Sequence, residues 1–158
     1  MSRLLFALIL SFTMAGAAQD HKASDSFLYW QPAQIDAPGR LDIALVDLAR
    51  AVALDSDGDG QVQWAEVEDR QANIKSYLTP RLLIMSGDLE CRLDWRLAGL
   101  TQHSDGNYLA LEFRPDCFDP AISPSHLEYE LFFDQDPLHR ALVMTRIDDN
   151  DRLSVLSG

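Results

Sequence analysis

Twelve residues in the first half of the chain, Asp55 to Glu66, have the types and spacing to hold a divalent cation. The stretch LDSDGDGQVQWAEV, Leu54 to Val67, sets Asp55, Asp57 and Asp59 on alternate positions, follows them with Gly60 and closes with Glu66. Counted from Asp55, these are positions 1, 3, 5, 6 and 12 of an EF-hand calcium loop. Calcium is a hard, large cation that takes six to eight oxygens at roughly 2.3–2.6 Å. Alternate residues of a tight loop turn their side chains toward one centre, and a glutamate at position 12 can bind through both oxygens. Gly60 stands where the chain must turn with positive φ. Gln61, at position 7, offers its backbone carbonyl, and Gln63, at position 9, can hold a water. The expected ligands of Ca2+ are therefore Asp55, Asp57, Asp59, Gln61 through its carbonyl, and Glu66.

EF-hand loops usually come in pairs joined at position 8, here Val62. No second loop follows. The run DDNDRLSVLSG begins well at Asp148 and Asn150 but puts Arg152 and Leu153 at positions 5 and 6. Val62 is left to pair with a β-strand, with a second molecule or with nothing.

The elements that must position the loop follow from hydrophobic periodicity. Leu41, Leu45, Leu48 and Val52 recur at helical spacing, which predicts a helix from about Gly39 to Leu54. Val67, Ile74 and Leu78 predict a second from Trp64 to about Tyr77, ended by Thr79-Pro80. Phe27 to Trp30 reads as a strand. Beyond Pro80 the period changes to two. RLLIM, a turn at Ser86-Gly87-Asp88 and LECRLDWRLAGL form a hairpin, and YLALEF alternates cleanly. HLEYELFF places Leu127, Tyr129, Leu131 and Phe133 on one face, and a turn at Gln135-Asp136 leads into RALVMTRI and then RLSVLS. The expected fold class is α+β, an EF-hand helix-loop-helix packed against an antiparallel β-sheet or sandwich. Residues 19–158 form a single domain in this reading, with the strand and helix-loop-helix in 27–80 and the antiparallel β unit in 81–158.

Residues 1–18 read as a secretory signal peptide, with Arg3, an apolar run from Leu4 to Phe12, and Ala15-Gly16-Ala17-Ala18 before the cut. That run is too short for a permanent membrane span, and no later segment approaches one. The expectation is an exported chain, periplasmic or extracellular. Losing Arg3 takes the formal charge from −12 to −13. So acidic a chain repels nucleic acid and anionic lipid and suits cations. Two cysteines, Cys91 and Cys117, suggest one disulfide in an exported protein, with a cysteine metal site as the rival.

The runs HKASDSFLYW and GRLDIALVDLARAVALDSDGDGQVQWAEVEDRQANIKSYL, the two cysteines, and YELFFDQDPLHRALV occur here in an order that resembles the extracytoplasmic N-terminal region of HupE/UreJ-type membrane proteins. Those proteins are associated with hydrogenase and urease nickel supply. The resemblance covers nearly all of the mature chain. It implies a membrane protein partner, or a membrane portion beyond Gly158, and an alternative role as an accessory nickel- or copper-handling or docking module for a transporter. The membrane helices of that group, with their His/Asp metal motif, have no counterpart here.

The histidines bear on that alternative. In the expected hairpin His126 and His139 lie too far apart to share a metal ion. His103 falls in a solvated Ser/Asp/Gly loop, and His139 reads as a strand-end hydrogen-bonding group beside Arg140, Asp134 and Asp136. If the signal peptide is cut after Ala18, the mature chain begins Gln19-Asp20-His21. A free amine with a third-residue histidine can wrap Cu(II) or Ni(II) in a square plane. No G-x-S-x-G elbow or visible Ser/His or Cys/His pairing speaks for an enzyme, and none is expected. The sequence thus points to an exported calcium-binding module in which calcium is mainly structural.

Overall fold

The computed structural model describes residues 24–32, 37–117, 126–147 and 150–158. Residues 1–18, read above as a signal peptide, His21 and Asp148-Asp149 lie outside them. Eleven elements follow in order: β1 (Asp25–Trp30), β2 (Gly39–Ala44), α1 (Leu45–Val52), α2 (Trp64–Asp69), α3 (Gln71–Leu78), β3 (Leu82–Ser86), β4 (Leu89–His103), β5 (Gly106–Asp116), β6 (His126–Tyr129), β7 (Arg140–Ile147) and β8 (Asn150–Ser157).

The fold class differs from the α+β expectation. Strands dominate, and all eight join one sheet in the order β6-β3-β4-β5-β2-β1-β7-β8, which curls into a nearly closed, barrel-like form. The helices are three short pieces inserted between β2 and β3, and no helix-loop-helix layer is packed on a separate sheet or sandwich. The cause lies in the residues Gly39 to Ala44. Leu41 begins a helical i, i+4 row with Leu45, but Leu41 and Ile43 also alternate with Arg40 and Asp42. Pairing with β5, Leu41 against Leu111 and Ile43 against Leu109, decides for the strand. Tertiary pairing overrides local period here. Gly39 belongs to the same ladder: a Cβ there would sit 2.0 Å from Cζ of Phe113, the residue it faces.

The other expected helix is broken at Arg70, whose φ of −96° and ψ of 8° separate α2 from α3. The hairpin drawn through Gln135-Asp136 is not formed. β6 ends at Tyr129 and pairs with β3, whereas β7 runs parallel to β1, Leu28 beside Val143. Between them Phe132 adopts a φ of +65°, and its carbonyl accepts the amides of Gln135 and Asp136. The strand at Phe27 to Trp30 and the β3–β4 hairpin with its turn at Gly87-Asp88 agree with the sequence reading, and YLALEF lies in strand β5 as its alternation suggests. The two segments 27–80 and 81–158 do not form separate units, because β1 and β2 lie between β5 and β7.

One core results. Leu28, Leu41, Ile43, Leu109, Leu111 and Phe113 from the strands share it with Leu48, Leu54, Val67, Ile74 and Leu78 from the helical insertion. Each buried leucine or isoleucine contributes about 1.5–3 kcal/mol against exposure. No helix among the described residues is long and apolar enough to cross a membrane.

Cys91 on β4 and Cys117, just past β5, are joined in a disulfide, their Cα atoms 4.3 Å apart. The bridge extends the β4–β5 ladder one step beyond Arg92 and Asp116. It closes a separation of 26 residues, worth about 3 kcal/mol in the chain-entropy account. Reduction should therefore lower the unfolding free energy measured in urea by roughly that amount, and Cys91→Ser with Cys117→Ser should do the same without reductant. Coincident unfolding curves for the oxidised and reduced protein would contradict it.

Candidate metal centre

The loop is set by its anchors. α1 ends at Ala53, whose φ of +40° and ψ of 65° turn the chain out of the helix. Leu54 follows, fully buried, and fastens the start of the loop to the core. Val67, also fully buried, fastens the end, and Val62 packs partly against the same cluster without joining any strand. Between these points the chain is exposed and held by its own carboxylates. Asp55 accepts the amides of Gly58 at 2.7 Å and Gly60 at 3.0 Å. Asp57 accepts the Asp59 amide at 3.1 Å, and Asp59 the Gln61 amide at 2.7 Å. Gly60 has the expected positive φ, +80°.

This winding turns three side chains to one point. One carboxylate oxygen each from Asp55, Asp57 and Asp59 lies within 4.8 Å of the others. Two unit charges at about 4 Å repel by about 1 kcal/mol even in water, a cost that a divalent cation at their centre would relieve. Glu66 stands outside that group. Its Oε1 accepts the amide of Ser56 at 2.7 Å and its hydroxyl at 2.9 Å, and its Oε2 accepts the Gln63 amide at 2.9 Å. With the Gln63 side chain returning a bond, this is a capping box on α2. The amides of Gln63 and Ser56 and the Ser56 hydroxyl hold the Glu66 carboxyl below the usual carboxylate range. Glu66 thus clasps the two ends of the loop together; Oε2 keeps a lone pair for an ion, whereas both of those on Oε1 are taken by Ser56. Of the five expected ligands, three converge, Glu66 closes the loop beside them, and Gln61 lies between Gly60 and Val62 with its amide on Asp59.

A second polar centre was not legible in the sequence. His139 is fully buried. Its Nδ1 lies 2.8 Å from the Ser24 hydroxyl, and its Nε2 lies 2.8 Å from the Tyr129 hydroxyl and 3.4 Å from that of Ser26. The hydrogen-bonding role expected of His139 is present, but with these hydroxyls instead of Asp134 and Asp136. Ser24 is 115 residues away in the chain, and no local signal could pair them. Burial pushes the His139 pKa down, against the pull of Asp47, Asp136 and Asp25, so the ring is held neutral. Asp47, on α1, is buried too. Burial raises its pKa, partly offset by the Ser24 hydroxyl, His139 and Arg50. Its Oδ2 has no hydrogen-bond partner among the described residues.

His103 also departs from expectation. It is not solvated in a loop but ends β4, stacked on Phe27 at 4.1 Å, with Nε2 2.9 Å from the buried Asp42 carboxylate. Arg40 holds the same carboxylate through two bonds.

Comparison with protein-family models, with curated proteins and with solved structures finds no match for this chain.

Asp47 has a consequence for stability. Its folded pKa is raised, so its contribution is most favourable below the unfolded value of 3.8 and is lost as pH rises through the folded one. Asp47→Asn should therefore be more stable than the parent at pH 7, with the difference shrinking toward pH 4. Urea denaturation at the two pH values checks this. A variant less stable than the parent at pH 7 would show that the charge is compensated.

Proposed function

We propose that the chain is an exported calcium-binding module with one EF-hand loop, in which calcium serves mainly to fasten the helical insertion to the barrel-like sheet. The observation that carries this reading is the convergence of Asp55, Asp57 and Asp59 within 4.8 Å in a loop already wound with Gly60 at positive φ. The spacing of the carboxylates, the backbone amides committed to them and the Glu66 clasp favour an ion that takes many oxygens in an adaptable shell, which is calcium rather than magnesium. Glu66 completes the shell from the first turn of α2, and Gln61 gives its carbonyl. The disulfide and the signal-like first residues support export, where extracellular calcium is plentiful enough for a weak site.

The structural role is favoured by the anchors. Leu54, Val62 and Val67 already pack on the core at both ends of the loop, so ion binding has little apolar surface left to release. Calorimetry should give a calcium Kd of about 10⁻⁴ M, within the range of extracellular modules. Glu66→Gln should weaken it by about tenfold or more. At one hundred times Kd calcium should add about 2.7 kcal/mol of stability, with no new binding of an apolar dye. An affinity unchanged in Glu66→Gln would remove the EF-hand assignment, and dye binding induced by calcium would make the module a sensor instead.

A further inference from the structure

The barrel-like sheet stays open along one seam. β6 and β8 are its two end strands, and among the described residues neither has a second neighbour. Five antiparallel steps lead from β6 to β1, a parallel step leads on to β7, and one more antiparallel step reaches β8. β6 and β8 therefore run the same way. A single strand running the other way is antiparallel to both, the more stable pairing per residue. In each end strand alternate residues turn their amides and carbonyls away from the paired neighbour, so both edges offer unpaired groups to the seam.

Between the edges lies a cleft of about 440 Å3, lined by residues 127–130 on the β6 side and 155–157 on the β8 side. Gly158 stops it at one end, where an added Cβ would sit 3.0 Å from Cγ of Phe133. The two faces of the seam differ. Leu127 stands beside buried Ile84, and Leu156 beside buried Ala141, so both point inward and pack on the core. The outward face has exposed Glu128 and Glu130 on one side, with Leu153 and Val155, 65% and 54% exposed, on the other. Glu128 meets His126 at 3.3 Å. Arg81, whose carbonyl accepts the Glu130 amide, turns its side chain to Asp134 and the Tyr77 ring. Arg152, the basic residue of β8, lies on the inward row, opposite Thr145, and residues 118–125, which lead into β6, include no Lys or Arg. An acidic occupant is repelled here, a second copy of this chain with its formal charge of −12 included. A lysine or arginine fits: its apolar stem lies over Val155 while its charged head reaches Glu128 or Glu130.

We propose that the β6–β8 seam docks an extended segment of a partner protein in which apolar residues alternate with lysine or arginine. The segment runs antiparallel to both end strands. Its apolar side chains meet Leu127 and Leu156, and its basic side chains cross Val155 to Glu128 and Glu130. Main-chain bonds supply the affinity, and the alternation of side chains selects the partner. Calcium has no part in this binding.

A capped heptapeptide alternating valine and lysine is a sufficient probe, titrated calorimetrically into the full chain with calcium removed. It should bind saturably at one site, and the same peptide with glutamate for lysine should not bind. Glu128→Gln with Glu130→Gln should weaken the lysine peptide by about tenfold, the worth of two exposed ion pairs. Glu68→Gln with Asp69→Asn, on α2, removes as much charge and should leave the affinity unchanged. Methylating alternate backbone nitrogens of the peptide removes the donors of one edge and should abolish binding. Bound peptide should also slow amide exchange in 126–129 and 150–157. Absent binding, binding that survives the methylation, or binding indifferent to the Glu128 and Glu130 substitutions overturns the proposal. A chain that sediments as a dimer with those amides already slow gives the seam to a second copy and overturns it as well.

Discussion

The parallel pairing of β1 with β7 is the constraint on which the other parts depend. It joins the first described strand to one begun more than a hundred residues later, from Asp25 beside Arg140 to Trp30 beside Thr145. Arg140 fastens it with two bonds to the Asp25 carboxylate, and His139 fastens it again through Ser24 and Ser26. Without this pairing the sheet would end at β1, and the β7–β8 hairpin would have nothing to continue. Pairings of such separation are costly in loop entropy and form slowly. The Cys91–Cys117 bridge strengthens a different, local ladder and leaves that long-range closure to packing and polar contacts.

That closure also sets the base for the loop. β1 pairs with β2, which leads without a break into α1, and α1 delivers Leu54 and Asp55. The His139 knot and Asp47 lie where α1 meets the β1–β7 edge. An apolar packing would be cheaper there than a buried, half-partnered carboxylate. The loop itself is held differently, by short bonds from its own carboxylates to its own amides. A rigid platform therefore carries an exposed, internally wound loop. Such an arrangement would suit the proposed role, in which an ion adds stability more than motion.

The loop could be read from sequence because all its determinants are local. Asp55, Asp57, Asp59, Gly60 and Glu66 act within twelve residues, and the φ of Gly60 follows from its position. The β3–β4 hairpin is legible for the same reason. The fold class was not. Leu41 satisfies a helical row and a strand row equally, and only Leu111, seventy residues on, decides between them. HLEYELFF alternates through Phe133, yet Phe132 turns left-handed because its ring packs against Tyr77 and His139, which local pattern does not contain. His103 looked solvated because its partners, Phe27 and Asp42, come from two other strands.

Trp64 allows the central claim to be tested at the loop itself. It occupies the position two residues before Glu66, in the first turn of α2 and partly buried. Terbium(III), a luminescent stand-in for calcium, emits when an excited indole lies close to it. The account predicts terbium emission on tryptophan excitation that excess calcium displaces and that Trp64→Phe abolishes, with Trp30 and Trp95 left in place. No sensitised emission, or emission that calcium does not displace, would contradict a calcium site formed by Asp55, Asp57, Asp59 and Glu66.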